Sequence, residues 1–160
     1  MILFLVVSLV LVCFAGVLLV GAPYLPTLKP QVIAALRLAD LKPGQTLLEL
    51  GCGDGKVLLA AARQGNKAIG YELNPIVATV AWLRTRKYRH LVQVKCANFW
   101  KVDWPPADAI FVFLLPRFMQ KLDVKVVSYN TGQIKLVSFA FKIPGKKIDQ
   151  EIDNVYLYKY

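Results

Sequence analysis

Hydrophobic and polar positions divide this chain into two regimes. From Met1 to Val20 it is almost unbroken Leu, Val, Ile and Phe, and no charged side chain occurs before Lys29. Roughly 20 such residues in a helix rise about 30 Å, the thickness of a bilayer's hydrocarbon core. A cleaved signal peptide would open on a basic stretch and carry a shorter apolar core. A buried soluble helix would need more surrounding core than the remaining chain supplies. The pattern therefore predicts a transmembrane anchor over residues 1–21, a hinge and N-terminal helix over 22–45, and one folded domain over 46–160.

Beyond the anchor the period changes. Gly21-Ala22-Pro23-Tyr24-Leu25-Pro26-Thr27 is a turn-rich hinge that no helix crosses. Thr27 is placed to cap a helix over Lys29–Ala39, with Pro30 in its first turn. Strands are predicted at Thr46–Leu50, Ala68–Tyr71, Leu91–Lys95 and Ala109–Leu114, with helices at Lys56–Gln64 and Pro75–Arg86 between the first three. Ala109–Leu114 is apolar throughout, as a strand covered on both faces should be. A helix at Pro116–Val126 and closing strands at Lys135–Phe141 and Val155–Tyr158, joined through Pro144-Gly145, complete the chain. Strands alternating with helices predict an α/β, Rossmann-like doubly wound sheet. Little chain remains for its C-terminal half, which is expected to be trimmed, with no inserted substrate domain.

Charge adds a direction. The net charge of +10 resides entirely in residues 29–160, and Lys29, Arg37 and Lys42 closely follow the apolar run. The excess of positive charge on that side predicts a single-pass membrane protein with its domain on the cytoplasmic face. A basic surface beside an anchor suits an anionic leaflet, and charge alone would suit nucleic acid equally. Cys13, Cys52 and Cys96 form no Cys-x-x-Cys pair and no Cys/His cluster, which argues against both a disulfide framework and a metal site. His90, the only histidine, falls between a predicted helix and strand and reads as a surface residue rather than a catalytic base.

The chemistry concentrates in two segments, Leu48-Glu49-Leu50-Gly51-Cys52-Gly53-Asp54-Gly55-Lys56 and Gly70-Tyr71-Glu72-Leu73-Asn74-Pro75. A strand, a glycine turn, a helix and a second strand tipped by an acid are how an open parallel sheet holds an adenosine-containing cofactor. A dinucleotide fingerprint would need glycine at Lys56, and a phosphate-binding loop would need a hydroxyl at Val57. What remains, acid-x-Gly-x-Gly-x-Gly from Glu49 to Gly55, resembles the S-adenosylmethionine site of class I methyltransferases. The resemblance implies that Gly51, Gly53 and Gly55 let the backbone turn beneath the cofactor. It implies further that Glu49 and Asp54 hold the methionine ammonium, that Glu72 accepts from the ribose hydroxyls, and that Asn98 and Phe99 border the adenine.

Methylation of nucleic-acid bases is disfavoured. The Asp/Asn-Pro-Pro-aromatic motif of amino-methylating enzymes belongs directly after strand four, where this chain has Phe113-Leu114-Leu115-Pro116. Its Asp103-Trp104-Pro105-Pro106 precedes that strand. The hinge Pro23–Thr27, Tyr71-Glu72-Leu73-Asn74-Pro75, Phe99-Trp100-Lys101-Val102, Val137-Ser138-Phe139 and Ile143-Pro144-Gly145 together resemble a narrower family. These are the membrane-anchored protein-lysine N-methyltransferases of the adenine nucleotide translocase and the ATP synthase c subunit, with their prokaryotic relatives. The resemblance implies methyl transfer from S-adenosylmethionine to a lysine of a membrane protein, in a pocket walled by Tyr24, Trp100 and Phe113–Pro116, with Tyr24 and Trp100 as the catalytic candidates. One departure stands out: that family tends to carry an acid where this chain has Asn98. Two other readings remain open, a lipid or small lipophilic acceptor and a non-catalytic membrane adaptor that has kept the fold.

Overall fold

The computed structural model describes Met1, Phe4, Ser8 and residues 25–129 and 132–160. The predicted anchor over 1–21 thus lies outside the described residues apart from those first three positions, as does Tyr24. Among the described residues no helix is long and apolar enough to cross a membrane.

Among the described residues seven strands form one sheet: β1 (Thr46–Leu50), β2 (Lys67–Glu72), β3 (Val92–Cys96), β4 (Ala109–Val112), β5 (Lys135–Phe139), β6 (Gln150–Ile152) and β7 (Val155–Lys159). Their order is β3-β2-β1-β4-β5-β7-β6, parallel from β3 to β5, with β7 antiparallel to both β5 and β6. Alternation along each strand divides the core in two, since successive side chains point to opposite faces. Leu47, Ala109, Phe111, Val155 and Leu157 meet the helices α1 (Lys29–Ala39), α2 (Lys56–Arg63) and α3 (Pro75–Thr85). Leu48, Leu50, Ile110, Val112, Tyr156 and Tyr158 face the other way, onto α4 (Pro116–Tyr129) and Trp104.

The second face is the trimmed one. Residues 97–108 connect β3 to β4 without a helix, and residues 140–149 connect β5 to β6 the same way. Irregular chain in those places keeps its order through specific bonds. Trp104, nearly buried, donates from its indole N–H to the Phe99 carbonyl at 2.9 Å. The α4 side chain of Lys125 lies over the Trp104 ring and donates to the Val102 carbonyl at 3.2 Å. Lys121, one turn earlier, covers Trp100.

Two local expectations are corrected. The N-cap of α1 is Leu28, not Thr27, and no side chain caps it; Pro at the start of the helix removes one of the amides a cap would serve. Strand β6 carries no signal in the sequence, because Gln150-Glu151-Ile152 is short, polar and at the sheet edge. Its pairing with β7 is set instead by Asp153-Asn154, both at positive φ, in a two-residue hairpin turn.

Gly70 on β2 marks where α2 and the glycine loop press on the sheet. A Cβ there would lie 2.5 Å from Leu58 Cδ1 and 2.7 Å from Cys52 Cβ and Sγ. Gly70→Ala should therefore destabilise the fold by about 1–3 kcal/mol, read as a lower midpoint in urea unfolding. An unchanged midpoint would show that α2 and the loop are not closely packed there.

Candidate cofactor and acceptor site

The glycine loop grows out of the β1 tip. The amides of Gly51 and Cys52 both donate to the Tyr71 carbonyl, at 2.9 and 2.8 Å, which holds the loop against β2. Gly51 has φ of +83°, in the left-handed region that favours glycine, and a Cβ there would meet nothing within 4 Å. Gly55 closes the loop at φ +76°, and its missing Cβ lets α3 come near: the added atom would stand 3.1 Å from Ala81 Cα.

Three carboxylates surround this loop in three different states. Glu49 is buried on β1, and its Oε2 has no hydrogen-bond partner among the described residues. Burial, with the negative charges of Asp54 and Glu72 adding, raises its carboxyl well above the usual carboxylate range, only partly offset by the Leu58 amide. Asp54 is engaged on the α3 side, 3.0 Å from Arg84 Nη2 and 3.4 Å from Lys56 Nζ. Glu72 is held at the β2 tip by two backbone amides: Gly53 N–H donates to Oε2 at 3.0 Å and Asn74 N–H to Oε1 at 2.8 Å. Asn74 in turn caps α3, its Oδ1 accepting from Ile76 and Val77. The carboxylate expected at the β2 tip is thus fixed in place by the loop it would serve.

Cys52, between them, is buried, and desolvation together with Glu49 and Glu72 pushes its thiol far up; it is a neutral packing residue, not a nucleophile. Asn98 and Phe99 follow β3 as expected. The Asn98 Oδ1 accepts from the Trp100 amide at 2.9 Å, so this side chain also orders its own loop. The Phe99 ring stands 4.7 Å from that of Trp100, which packs on toward Phe118 at 6.0 Å.

Of an aromatic cluster at the neighbouring strand tips, the sequence points to Phe113 alone. Phe113, just past β4, lies 4.5 Å from Phe139 and 6.4 Å from Phe141, which flank the end of β5. Between the latter two, Ala140 has φ of 67°, and the Phe141 amide donates back to the Phe139 carbonyl at 2.9 Å. That i to i+2 bond at positive φ is a strained three-residue turn. It is tied down by the buried Ser138 hydroxyl, which donates to the Phe141 carbonyl at 2.7 Å, and by Ala140 N–H to the Asn154 carbonyl at 2.9 Å. Only the alternation of Phe139 and Phe141 around a small residue hints at this pair.

A parallel sheet in this order, with an antiparallel seventh strand, a glycine loop at β1 and an acid at β2, is the Rossmann-like fold of class I methyltransferases. A solved RNA methyltransferase from Salinibacter ruber, in complex with S-adenosyl-L-homocysteine, superposes with a TM-score of 0.78 at 27% identity, over 85% of this chain and 92% of that one. More narrowly, the chain belongs to the family described as the ANTKMT methyltransferase domain, which matches residues 49–150. It is 28% identical to the ATP synthase c-subunit lysine N-methyltransferase of Xenopus laevis over 85% of its length, and spans 62% of that relative. It is 30% identical to a protein-lysine N-methyltransferase of Saccharolobus islandicus over 77% of this chain and 79% of the other.

Glu49 makes the ligand-free fold pH-sensitive. With the carboxyl raised in the folded state, the folded chain keeps a proton that the unfolded chain releases near pH 4.3. The stabilisation is complete below that pH and declines as pH rises toward the folded value. Glu49→Gln should therefore melt higher than wild type at pH 7.5, with the gap closing toward pH 4.5. Parallel melting curves across that range would contradict the burial of an ionisable group at this tip.

Proposed function

We propose that this chain is an S-adenosylmethionine-dependent protein-lysine N-methyltransferase acting on a membrane protein. The observation that carries the reading is Glu49: a buried carboxyl with one oxygen unpaired among the described residues, at the root of a glycine loop where a Cβ on Gly51 would meet nothing within 4 Å. A burial this costly is explained by a cationic group that arrives with the ligand, and a methionine ammonium meets that need. Membership of a family of lysine methyltransferases and the likeness to an S-adenosylhomocysteine complex support the same cofactor.

The residues present fit that cofactor. Glu49, ionised, would take the ammonium, with Asp54 reinforcing the negative field while it remains paired with Arg84 and Lys56. Glu72 would take the ribose hydroxyls, its orientation already set by the Gly53 and Asn74 amides. Asn98 and Phe99 would border the adenine. Bound there, the cofactor supplies an electrophilic methyl group on a sulfonium. The chain's own task is then alignment and dryness. An attacking lysine must be neutral, which from a pKa near 10.4 costs about 4.6 kcal/mol at pH 7. An apolar pocket lowers that cost by disfavouring the ammonium. Phe113, Phe139 and Phe141 would form its wall at the β4 and β5 tips, with Trp100 opposite and Tyr24 contributed by the hinge. The uncharged run before Lys29 supports an anchor that holds the domain, on the cytoplasmic face, beside acceptors in the same membrane.

The test is transfer of label from methyl-labelled cofactor to a membrane fraction, with wild type and Glu72→Ala side by side. The account expects a labelled protein band with wild type only, label on lysine after hydrolysis, and cofactor affinity at least about a hundredfold weaker in Glu72→Ala. Label in the lipid extract or in RNA, or no label despite cofactor binding, would overturn the lysine reading.

A further inference from the structure

The outward face of α3 carries exposed apolar side chains. Ile76, Val80 and Leu83 recur at helical spacing along it, 37%, 41% and 47% exposed, and Trp82, about 100° round the helix from Leu83, flanks that stripe at 58% exposed. The opposite face of the helix, through Val77, Ala78 and Ala81, is the one packed on the sheet and the glycine loop. Immediately beyond the helix, Arg86, Lys87 and Arg89 are exposed on the short 3-10 turn and the residue after it. No Asp or Glu occurs anywhere from residue 73 to residue 102. Apolar side chains, a flanking indole and a basic end with no acid in the same segment are groups that a membrane interface accepts.

We propose that α3 rests on an anionic lipid surface, with Ile76, Val80 and Leu83 at the acyl boundary, Trp82 at headgroup level, and Arg86, Lys87 and Arg89 on lipid phosphates. The charge chooses anionic lipid over zwitterionic lipid. The aliphatic stripe chooses lipid over nucleic acid, whose phosphates would satisfy the arginines and leave Ile76, Val80 and Leu83 in water. The contact rests on the membrane attachment proposed above and adds orientation to it. An anchor holds the domain near a bilayer but leaves it free to tumble; a second contact on α3 fixes which side faces the lipid. Since α3 begins just past Glu72 and its 11 residues span about 16 Å, the contact keeps the cofactor cleft within a helix length of the bilayer. Acceptor residues in the headgroup region come within reach, and residues far out in water do not.

The full chain, reconstituted into vesicles, decides this through its tryptophan emission. Vesicles of phosphatidylcholine with one quarter phosphatidylglycerol, brominated in their acyl chains, should quench a component of the emission that Trp82→Phe lacks. The triple variant Arg86→Glu, Lys87→Glu, Arg89→Glu should lose most of that component, as should wild type in pure phosphatidylcholine. Flotation of the same samples separates the two membrane readings. A chain that floats while wild type and Trp82→Phe are quenched alike is anchored without the α3 contact, and the inference fails alone. A chain that does not float with either lipid contradicts both. Trp82 emission already shifted to the blue without vesicles would mean that the chain's own N-terminal residues, or a second copy, cover α3, and would also overturn the proposal.

Discussion

A carboxyl group buried at the end of β1 is the constraint to which the rest of the site answers. Glu49 has one oxygen with no donor among the described residues, and neighbouring Asp54 and Glu72 make its ionisation harder still. The nearby cations are committed elsewhere: Arg84 and Lys56 both go to Asp54. Backbone amides go to Glu72. One carboxyl is thereby left with its demand unmet beneath an open approach, which is how a fold can hold binding energy in reserve for a cationic ligand. The remaining loop geometry follows from keeping that approach clear: left-handed glycine at Gly51, and α3 drawn in against Gly55 so that nothing needs to cross above.

The two faces of the sheet divide the labour. Three helices cover one face and hold the glycine loop from behind. On the other face a single helix and an irregular segment suffice, because Lys121 and Lys125 lie across Trp100 and Trp104 and the segment's own carbonyls are taken by Trp104 and Lys125. At the tips of β4 and β5 the chain carries aromatic rings. The strained turn at Ala140 belongs to the same economy. It brings Phe139 and Phe141, two residues apart, both within reach of Phe113, and Ser138 with Asn154 supplies the bonds that hold it.

Much of this was legible in the order of residues. The apolar runs and the glycines predicted the five parallel strands and most of their helices to within a few residues, because each half of a βαβ unit is specified locally. Glu49, the three glycines and Glu72 came with them, since a cofactor turn requires particular residue types at particular spacings. Less legible was what depends on distant partners. The diversion of Asp54 to Arg84 joins residues thirty positions apart. Edge strand β6 has no apolar pattern of its own and exists through its turn and its pairing with β7. The aromatic trio at Phe113, Phe139 and Phe141 draws on two strands that only the fold makes neighbours. Thr27 matched the sequence rule for a cap, yet the backbone starts α1 one residue later.

Since the central claim is that Glu49 is held buried and unpaired for a cationic cofactor, the most direct measurement is calorimetric titration of S-adenosylmethionine at pH 6 to 8 in buffers of different ionisation enthalpy. The account predicts that binding releases a proton from the wild-type chain, that the release vanishes in Glu49→Gln, and that affinity falls at least about tenfold in that variant. Binding of undiminished affinity, with no proton released in either chain, would contradict it.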